Sequence, residues 1–535
     1  MSGYVWENAN SSSVDIEDNK DKEDGICRIY VDPDIKKTIV LDEMSVPAMS
    51  PLGVSSDQYN IKDSAGFIYP IICINNTFLS AEEIDYLDIT SSSLLPTISL
   101  HITPKTKTFV NNEVIKDGDI ISVFIRTSTD IITPIRIDFL IKSSKVLGYD
   151  INSQGEDVSI ILNGEMYIPG MYSSKDNLYL TGSSKNALKE IAKKLGIGFA
   201  FNDECETNDA QLWFSSKERM DIFINNITRH IWKDEQSFFK VWIDFYYNLN
   251  FINVNKSLMS EDDIDVTIET FVKTMQDISP IENTEENAIA GLKLLTNYEV
   301  KKRSPFYILD FNMRNNSSNI TNNIGSNIVN QMFIHNQNYY NQGDSPYIEL
   351  KNVQMYDPKK KDKTVILRGR NKYNSETAMN YDMQYESVDI EESNTVTQWR
   401  GIQYTISDGD VDGSTNNWSG NVNINYNRAE THNLINNAEL DKMYISVTVN
   451  GPCLQIMRGE KIPIIIVTKD MLDQFTTNNE SLKGINKFYS GFYFVDAIKI
   501  TYTNDNDGDL SNNFNTTFTL KRREWPIPVD YAKDN

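Results

Sequence analysis

Residues 408–413 carry carboxylates that are spaced like the start of a calcium-binding loop. Asp408, Asp410 and Asp412 occupy the first, third and fifth positions, and a glycine occupies the sixth, as in loops that hold Ca²⁺ with oxygen ligands. The twelfth position, which should be a bidentate glutamate, is Ser419, and the flanking residues are typical of strands. We therefore interpret the segment as an exposed β-turn, with the three aspartates as the alternative calcium ligands, and we expect no other metal site.

A short basic run offers a second possible binding surface. Lys359, Lys360, Lys361 and Lys363 follow an Asp-Pro pair. A nucleic-acid surface needs a longer basic stretch with interleaved aromatic residues. The run therefore predicts a solvated hairpin tip, and contact with an acidic partner is the alternative.

The chain offers little material for catalysis. It has four histidines, and no GxSxG, HExxH, GxxxxGK[ST] or GxGxxG sequence occurs in it. His230 lies beside an apolar helical face, which is typical of a packed or helix-terminal histidine, and His101 falls on the polar face of a strand. For His432 the neighbouring asparagines indicate a buried polar network. We expect no catalytic residue and no cofactor, and we classify the chain as a non-enzyme.

Charge and cysteine usage exclude further classes. The 51 Lys and Arg residues against 75 Asp and Glu residues leave a net charge of −24, which disfavours general binding to nucleic-acid phosphates. No apolar run approaches the length of a membrane span, and no secretory signal is expected. The four cysteines are far apart, which argues against a disulfide framework or a structural zinc site. A reduced compartment and a structural or binding role follow.

Strand patterns dominate from about residue 66. Apolar and polar residues alternate over 97–102, 121–125 and 135–142, with an Asp117-Gly118 turn ahead of the second of these segments. A period of two means that one face of each strand is buried and the other is wet. The series of strands, extended by a hairpin within 148–180, predicts an antiparallel barrel or sandwich.

Helical patterns follow between residues 181 and 255. The first helix is predicted over 184–196 and stops at Gly196. A second starts at Ser215, where Glu218 gives a capping-box spacing, and a third covers 234–249. Their apolar faces contain Ala187, Leu188, Ile191, Ala192 and Leu195; Met220, Phe223, Ile224, Ile227 and Ile231; and Phe238, Phe239, Trp242, Phe245 and Leu249.

Alternation returns near the end of the chain, over 443–449, 498–502 and 514–520. The fold class is therefore α+β, mainly β, with two β blocks that could be related folds. The predicted domains are an acidic, partly disordered extension (1–65), a first β block with a hairpin (66–180), an α/β unit (181–255), an acidic insertion or linker (256–304), an Asn-rich β block (305–398) and a second β block (399–530).

Three groups of segments together resemble the baseplate hub proteins of contractile-tailed phages, and their joint order carries the resemblance. The segments are Phe139-Leu140-Ile141 and Tyr167-Ile168-Pro169-Gly170-Met171-Tyr172; Ser184-Lys185-Asn186-Ala187-Leu188, Gly196-Ile197-Gly198-Phe199, Trp213, Ser237-Phe238-Phe239 and Tyr246-Tyr247-Asn248-Leu249-Asn250-Phe251; and Trp399-Arg400-Gly401-Ile402-Gln403-Tyr404, Asn421-Val422-Asn423-Ile424-Asn425-Tyr426, Glu439-Leu440-Asp441-Lys442, Arg458-Gly459, Ile462-Pro463 and Lys521-Arg522-Arg523-Glu524-Trp525-Pro526.

The resemblance implies a homotrimeric adaptor in the virion, assembled in the host cytoplasm. Each subunit would carry two tail-tube-like antiparallel β-barrels, so that three subunits match the hexameric tail tube on one face and a trimeric central spike on the other. The tape-measure protein and the baseplate wedge proteins are further implied partners. Phage DNA would pass through the channel during ejection without specific binding, and no membrane is involved.

Two other functions are carried as alternatives. The first is another baseplate or tail component that binds a receptor or glycan, for which Tyr339, Tyr340 and Trp418 offer aromatic surfaces; core or interface packing is the more ordinary role of such residues. The second is a peptidoglycan hydrolase, which no catalytic signature in the sequence supports. The acidic extension, the 256–304 segment and the Asn-rich block depart from the plain hub pattern and leave the set of partners open.

Overall fold

The computed structural model of the protein is mainly β, with short helices as the minority. The description that follows covers residues 29–39, 68–75, 77–79, 83–104, 115–127, 135–147, 159–172, 177–234, 236–259, 306–309, 331–336, 348–356, 363–373, 381–389, 405–406, 429, 430, 432, 433, 436, 437, 440, 443–450, 456–467, 491–504 and 514–522. In this part of the chain no helix has both the length and the apolar composition needed to cross a membrane.

The first part of the chain forms a series of antiparallel strands. Ile98, Leu100 and Ile102 are buried and their neighbours are partly exposed, which confirms the predicted alternation. The bounds are β1 Tyr30–Val31, β2 Ile68–Ile74, β3 Thr77–Phe78, β4 Ile84–Ser91, β5 Thr97–Ile102, β6 Ile120–Thr127, β7 Ile135–Leu147 and β8 Ser159–Met166.

An α/β unit follows. Its four-stranded sheet has the order β1-β10-β13-β12, and β9 pairs with β11 in a separate two-stranded sheet. The bounds are β9 Leu178–Gly182, α1 Ser184–Leu195, β10 Gly198–Phe201, β11 Gln211–Ser215, α2 Met220–Arg229, β12 Phe239–Ile243, β13 Asn248–Asn253 and α3 Val254–Met259.

Helix α1 confirms its prediction at both ends. The Ser183 hydroxyl accepts a hydrogen bond from the Asn186 backbone amide and caps the N-terminus. Gly196 ends the helix in the left-handed conformation at φ 70°, where a glycine is not strained. The whole predicted apolar face of α1 is buried.

The other two predicted helices require corrections. Ser215 ends strand β11, so the capping box with Glu218 does not form; α2 begins at Met220 after Arg219, although its predicted apolar face is buried. The predicted helix over 234–249 is wrong, because this segment forms β12, a tight turn and the start of β13. Most of β12 and all of β13 are buried, and the asparagines of β13 are buried with the rest. Phe239, Trp242, Phe245 and Leu249 lie three or four residues apart across the turn, a spacing that resembles one face of a helix.

The remaining strands form two groups. Strands β16 to β19 make a sheet of their own with the order β18-β17-β16-β19. The others extend the sheet of the first block. The bounds are β14 Phe306–Leu309, β15 Gln331–Asn336, β16 Ile348–Tyr356, β17 Lys363–Tyr373, β18 Tyr381–Asp389, β19 Thr405–Ile406, β20 Met443–Asn450, β21 Lys461–Val467, β22 Gly491–Thr503 and β23 Phe514–Lys521.

Two sets of six strands have the same order in space. The first strand set is β2, β4, β5, β6, β7 and β8, and the second strand set is β14, β15, β20, β21, β22 and β23. When each set is numbered along the chain, both have the sheet order 1-4-5-6-3-2. The sets differ in one pairing, which is antiparallel between β2 and β6 and parallel between β14 and β21. The second set draws β14 and β15 from the Asn-rich region ahead of residue 399.

Both strand sets belong to one continuous sheet, because β4 pairs with β22. A single core runs through the first set, the α/β unit and the second set. Among the described strands, no pairing closes either set into a barrel, so barrel closure remains an expectation from the resemblance. The proposed limits of the six domains likewise remain predictions.

Candidate functional site

Strand β22 changes its neighbour halfway along its length. Residues 491–494 pair with β21, whereas residues 498–503 pair antiparallel with β4. Asp496 lies between the two stretches, at a bulge in the pairing with β23. A bulge leaves one residue out of the ladder and re-aims its side chain. This junction of the two strand sets is the candidate functional site, because the charged side chains of Arg458 and Asp496 are buried there.

Asp496 is the centre of a buried charge cluster. Its carboxylate is 2.5 Å from the Lys240 ammonium and 2.5 Å from the Lys521 ammonium. Burial alone would raise the pKa of the Asp496 carboxyl, but Lys240, Lys521 and Arg458 outweigh it and hold that pKa well below its usual range. The carboxylate therefore stays charged at neutral pH and links the α/β unit to the second strand set.

Arg458 connects all three parts of the molecule. Its guanidinium donates hydrogen bonds to the carbonyls of Ser93, at 2.6 Å, and Ser92, at 2.9 Å, in the turn after β4. It also donates to the Asp496 carbonyl and lies 4.7 Å from the centre of the Trp242 ring on β12. Burial lowers the pKa of Arg458 to about 10, which leaves it cationic at neutral pH. A guanidinium suits this position because it presents five donors in a fixed plane.

The chain approaches Trp242 too closely for any residue but glycine at position 459. Gly459 has φ +95°, and a Cβ added there would lie 2.7 Å from the Trp242 ring. Glycine removes both the backbone strain and the collision. The Arg458-Gly459 pair thus combines a fork of donors with the space that lets the indole ring pack against it.

A second buried contact fixes the first strand set to the α/β unit. On β7, Arg136 and Asp138 form a two-pronged ion pair with distances of 3.1 and 3.0 Å. The Asp138 backbone amide donates to the Tyr247 hydroxyl at 2.9 Å. Burial raises the pKa of both the Asp138 carboxyl and the Tyr247 phenol, so the phenol stays protonated. Tyr247 lies in the β12–β13 turn at φ 60°.

Helical residues between 429 and 440 pack onto the α/β unit. The His432 Nε2 is 2.7 Å from the Ser237 carbonyl, and the imidazole meets the Trp232 ring edge-on. Asn433 donates to the carbonyls of Arg229 and Ile231. The predicted buried polar network at His432 is confirmed, as is the helix-terminal position of His230 after α2.

Most of the chemical candidates from the sequence fall in parts of the chain that the structure does not describe. Asp408, Asp410 and Asp412 lie outside the described residues, as do Lys359, Lys360, Lys361, Tyr339, Tyr340 and Trp418. Lys363 is the first residue of β17. In the described ranges, no group of three or more His, Cys, Asp or Glu side chains could hold a metal ion.

Sequence reasoning missed the charge cluster, although two signals were available. Asp496 interrupts an apolar strand, and a buried charge needs partners. Arg458 precedes a glycine and follows the buried residues Ile456 and Met457. Its position in the sequence therefore gave no reason to expect an exposed side chain. What the sequence does not supply is the partner: Lys240 is more than two hundred residues away from Asp496.

No protein-family model and no curated protein matches the chain. Solved structures do match. A tail protein from Neisseria meningitidis MC58 has a TM-score of 0.40 and 10% identity and covers 85% of this chain and 97% of its own. The 43 kDa tail protein of prophage MuSo2 from Shewanella oneidensis has a TM-score of 0.38 and 9% identity, with coverage of 85% and 98%.

A third solved structure is the E. coli c3393 protein, described as a type VI secretion component with structural similarity to the T4 bacteriophage tail proteins gp27 and gp5. It has a TM-score of 0.32 and 9% identity, and it covers 85% of this chain and 80% of its own. The chain is thus similar to two tail proteins and a type VI secretion component, each at 10% identity or less.

Proposed function

We propose that the protein is a structural baseplate hub of a contractile phage tail, which adapts the hexameric tail tube to a trimeric central spike. One observation carries the proposal: a single chain contains two strand sets with the same 1-4-5-6-3-2 order, fused into one sheet. Three such chains would present six similar sets around one axis. A ring of this kind has sixfold pseudo-symmetry towards the tube and true threefold symmetry towards the spike.

The buried junction fits an adaptor whose two strand sets keep fixed relative positions. Arg458 and Asp496 fix the two sets to each other and to the α/β unit through short charged contacts, so the relative positions of the two sets are set within one chain. A rigid pair of sets is what a ring of fixed diameter requires. Tube, spike, tape-measure and wedge proteins are the proposed partners, the virion is the proposed location, and no catalysis is part of the role.

Native mass spectrometry of the purified chain tests the proposal. With a chain mass of 61.3 kDa, we expect a species three times as heavy, about 184 kDa. A hexamer would instead favour a tube or wedge-ring role and would contradict the hub. Mixing the trimer with the tail tube protein should then give a complex that contains one trimer for each terminal hexameric ring.

A further inference from the structure

The two strand sets agree in residue register as well as in order. Each has a turn before its fourth strand with a glycine at nearly the same φ, 97° for Gly118 and 95° for Gly459. Gly118 donates to the Ile141 carbonyl and Gly459 donates to the Val495 carbonyl, both at 2.8 Å. The residue after each glycine accepts from Ile141 or Val495 in return, at 2.9 Å in both sets.

The bulges give the same alignment independently. In β7 the pairing with β8 skips Lys142, and in β22 the pairing with β23 skips Asp496. The first residue of β6 pairs with Leu140 of β7, two positions before Lys142. In the same way, the first residue of β21 pairs with Phe494 of β22, two positions before Asp496. Residues 144–147 of β7 therefore correspond to residues 498–501 of β22.

This alignment identifies an edge of β7 that is left open. Residues 498–501 of β22 pair with β4. The equivalent residues of β7 pair with β8 on one side and have no neighbour on the other side among the described strands. Val146 is 53% exposed, whereas its counterpart Ile500 is fully buried. The unpaired backbone N–H and C=O groups of an open strand edge are a template for pairing with another chain, and the exposed apolar side chain would be buried by that pairing.

The strand that would fill this edge is identified by the same correspondence. The correspondence can be followed from β7 through β8 and β5 to β4, and from β22 through β23 and β20 to β15. The paired residues then place His335 at the position of Thr90 and Ile334 at the position of Ile89. Strand β4 uses its second edge to receive β22. Strand β15 pairs with β20 alone among the described strands, so its second edge is the open counterpart of the edge that β4 uses.

We propose that β7 of one copy of this chain pairs antiparallel with β15 of a second copy and repeats the internal β22–β4 junction between subunits. The expected register sets Ser144 opposite Asn336, Lys145 opposite His335, Val146 opposite Ile334, and Leu147 opposite Phe333. The contact is head-to-tail, so it generates a ring or an open chain. Closure at three rests on the proposed hub function; the pairing of the strands rests on the repeat alone.

Cysteine cross-linking tests the register. The double variant V146C/I334C places two thiols on directly opposite residues, whose Cα separation of about 4.5 to 5.5 Å suits a disulfide. We expect covalent trimers on mild oxidation. Each single variant alone should give no cross-link above the unsubstituted chain, while an equal mixture of the two should give dimers, because only a head-to-tail contact brings the two positions together.

The matched control is V146C/F333C, in which the second thiol moves by one residue and points to the other face of the sheet; it should cross-link far less. The pair K145C/H335C, one step along the same ladder, repeats the test if V146C/I334C does not fold. A native trimer in which neither matched pair cross-links would overturn the pairing and leave the hub standing. Cross-linked dimers, tetramers and longer chains without closure at three would support the pairing and overturn the hub. A monomer without cross-links would overturn both.

Discussion

Arg458 is the residue on which the junction depends most. Replacement by alanine removes its hydrogen bonds to three backbone carbonyls and its contact with Trp242, and leaves a space where the buried guanidinium stood. We expect the variant to lose about 3 to 5 kcal/mol of unfolding free energy, as for other broken buried charge contacts. Arg458→Lys keeps the charge but not the planar set of donors, so its unfolding free energy should lie between those of the unsubstituted protein and Arg458→Ala. Thermal unfolding of the unsubstituted protein and the two variants measures this order of stability.

Arg219 provides the control for that measurement. It forms an equally short ion pair with Asp221, at 2.6 Å, but its side chain is 44% exposed. Exposed pairs contribute little, so Arg219→Ala should change the unfolding free energy by less than about 1 kcal/mol. Equal losses in the two alanine variants would contradict a special role for the junction.

His230 predicts how stability responds to mild acid. Burial lowers the pKa of its imidazole to about 4, against about 6.5 in an unfolded chain. Among the described groups that face it are the Asn226 carbonyl, 2.9 Å from Nδ1, the Glu430 carboxylate, 3.9 Å from Nε2, and nearby Arg229. Because the imidazole is neutral in the folded state, the unfolded state takes up a proton as the pH falls below 6.5, and stability decreases.

The expected decrease between about pH 7.5 and pH 5 is about 2 kcal/mol, from the difference in proton binding of the two states. His230→Gln removes this titration, so the urea midpoint of the variant should change less with pH over the same interval. Glu430, whose pKa is raised by burial, is present in both proteins and cancels in the comparison. An undiminished acid loss in the glutamine variant would assign the pH dependence to other groups.

The element scale shows where sequence periodicity succeeds and where it fails. Helix α1 could be predicted in full, because one face is apolar, a serine caps its start and Gly196 ends it. Strands β5, β20 and β23 could be predicted because each has one buried and one partly exposed face. The same alternation predicts strand β7, but Arg136 and Asp138, on the face expected to be wet, are buried as an ion pair. Strands β12 and β13 could not, because Phe239, Trp242, Phe245 and Leu249 lie three or four residues apart across the turn between them. That spacing also fits one face of a helix.

The junction lay beyond sequence reasoning for a different reason. Period-two patterns indicate strands and their buried faces, but they do not indicate which strands are neighbours. The pairing of β22 with β4, the cluster around Asp496 and the membership of β14 and β15 in the second set are all long-range choices. Such contacts join residues separated by hundreds of positions, and local patterns carry no information on them.

The repeated turn offers a matched test at the element scale. Gly118 and Gly459 have the same backbone conformation, but a Cβ at Gly118 meets nothing within 4 Å, while a Cβ at Gly459 meets Trp242 at 2.7 Å. Gly118→Ala should lose about 1 to 2 kcal/mol from backbone strain alone. Gly459→Ala should lose at least about 1 kcal/mol more, because the indole ring must move.

Thermal shifts of the two alanine variants, measured under the same conditions, give the comparison. Adding Trp242→Phe to Gly459→Ala should recover part of the additional loss, since the smaller ring leaves space for the methyl group. Equal shifts for the two glycines would mean that the Arg458-Gly459 turn packs against β12 more loosely than the structure indicates.

At the scale of the whole molecule, the two strand sets repeat one another in sequence as well as in order. The shared features are the strand order, the bulge position and the Ile-x-x-Gly-Asp/Glu-x-Ile turn at 115–121 and 456–462. The differences lie where the two sets meet different neighbours. Asp496 and Arg458 are buried at the internal junction, whereas the aligned Lys142 and Asp117 of the first set are exposed, as expected for a contact made with a separate chain.

The net charge of the chain bears on how the proposed ring would interact with DNA. Each chain carries −24 formal charges, so a trimer carries three times −24, or −72. If part of this charge lines the channel of the proposed ring, phosphates are repelled from the wall and DNA slides past without binding. A labelled duplex titrated with the trimer should show no saturable rise in fluorescence anisotropy, even at low salt. Binding that weakens steeply as salt is added would reveal a basic phosphate-contacting surface and would contradict a channel that repels its cargo.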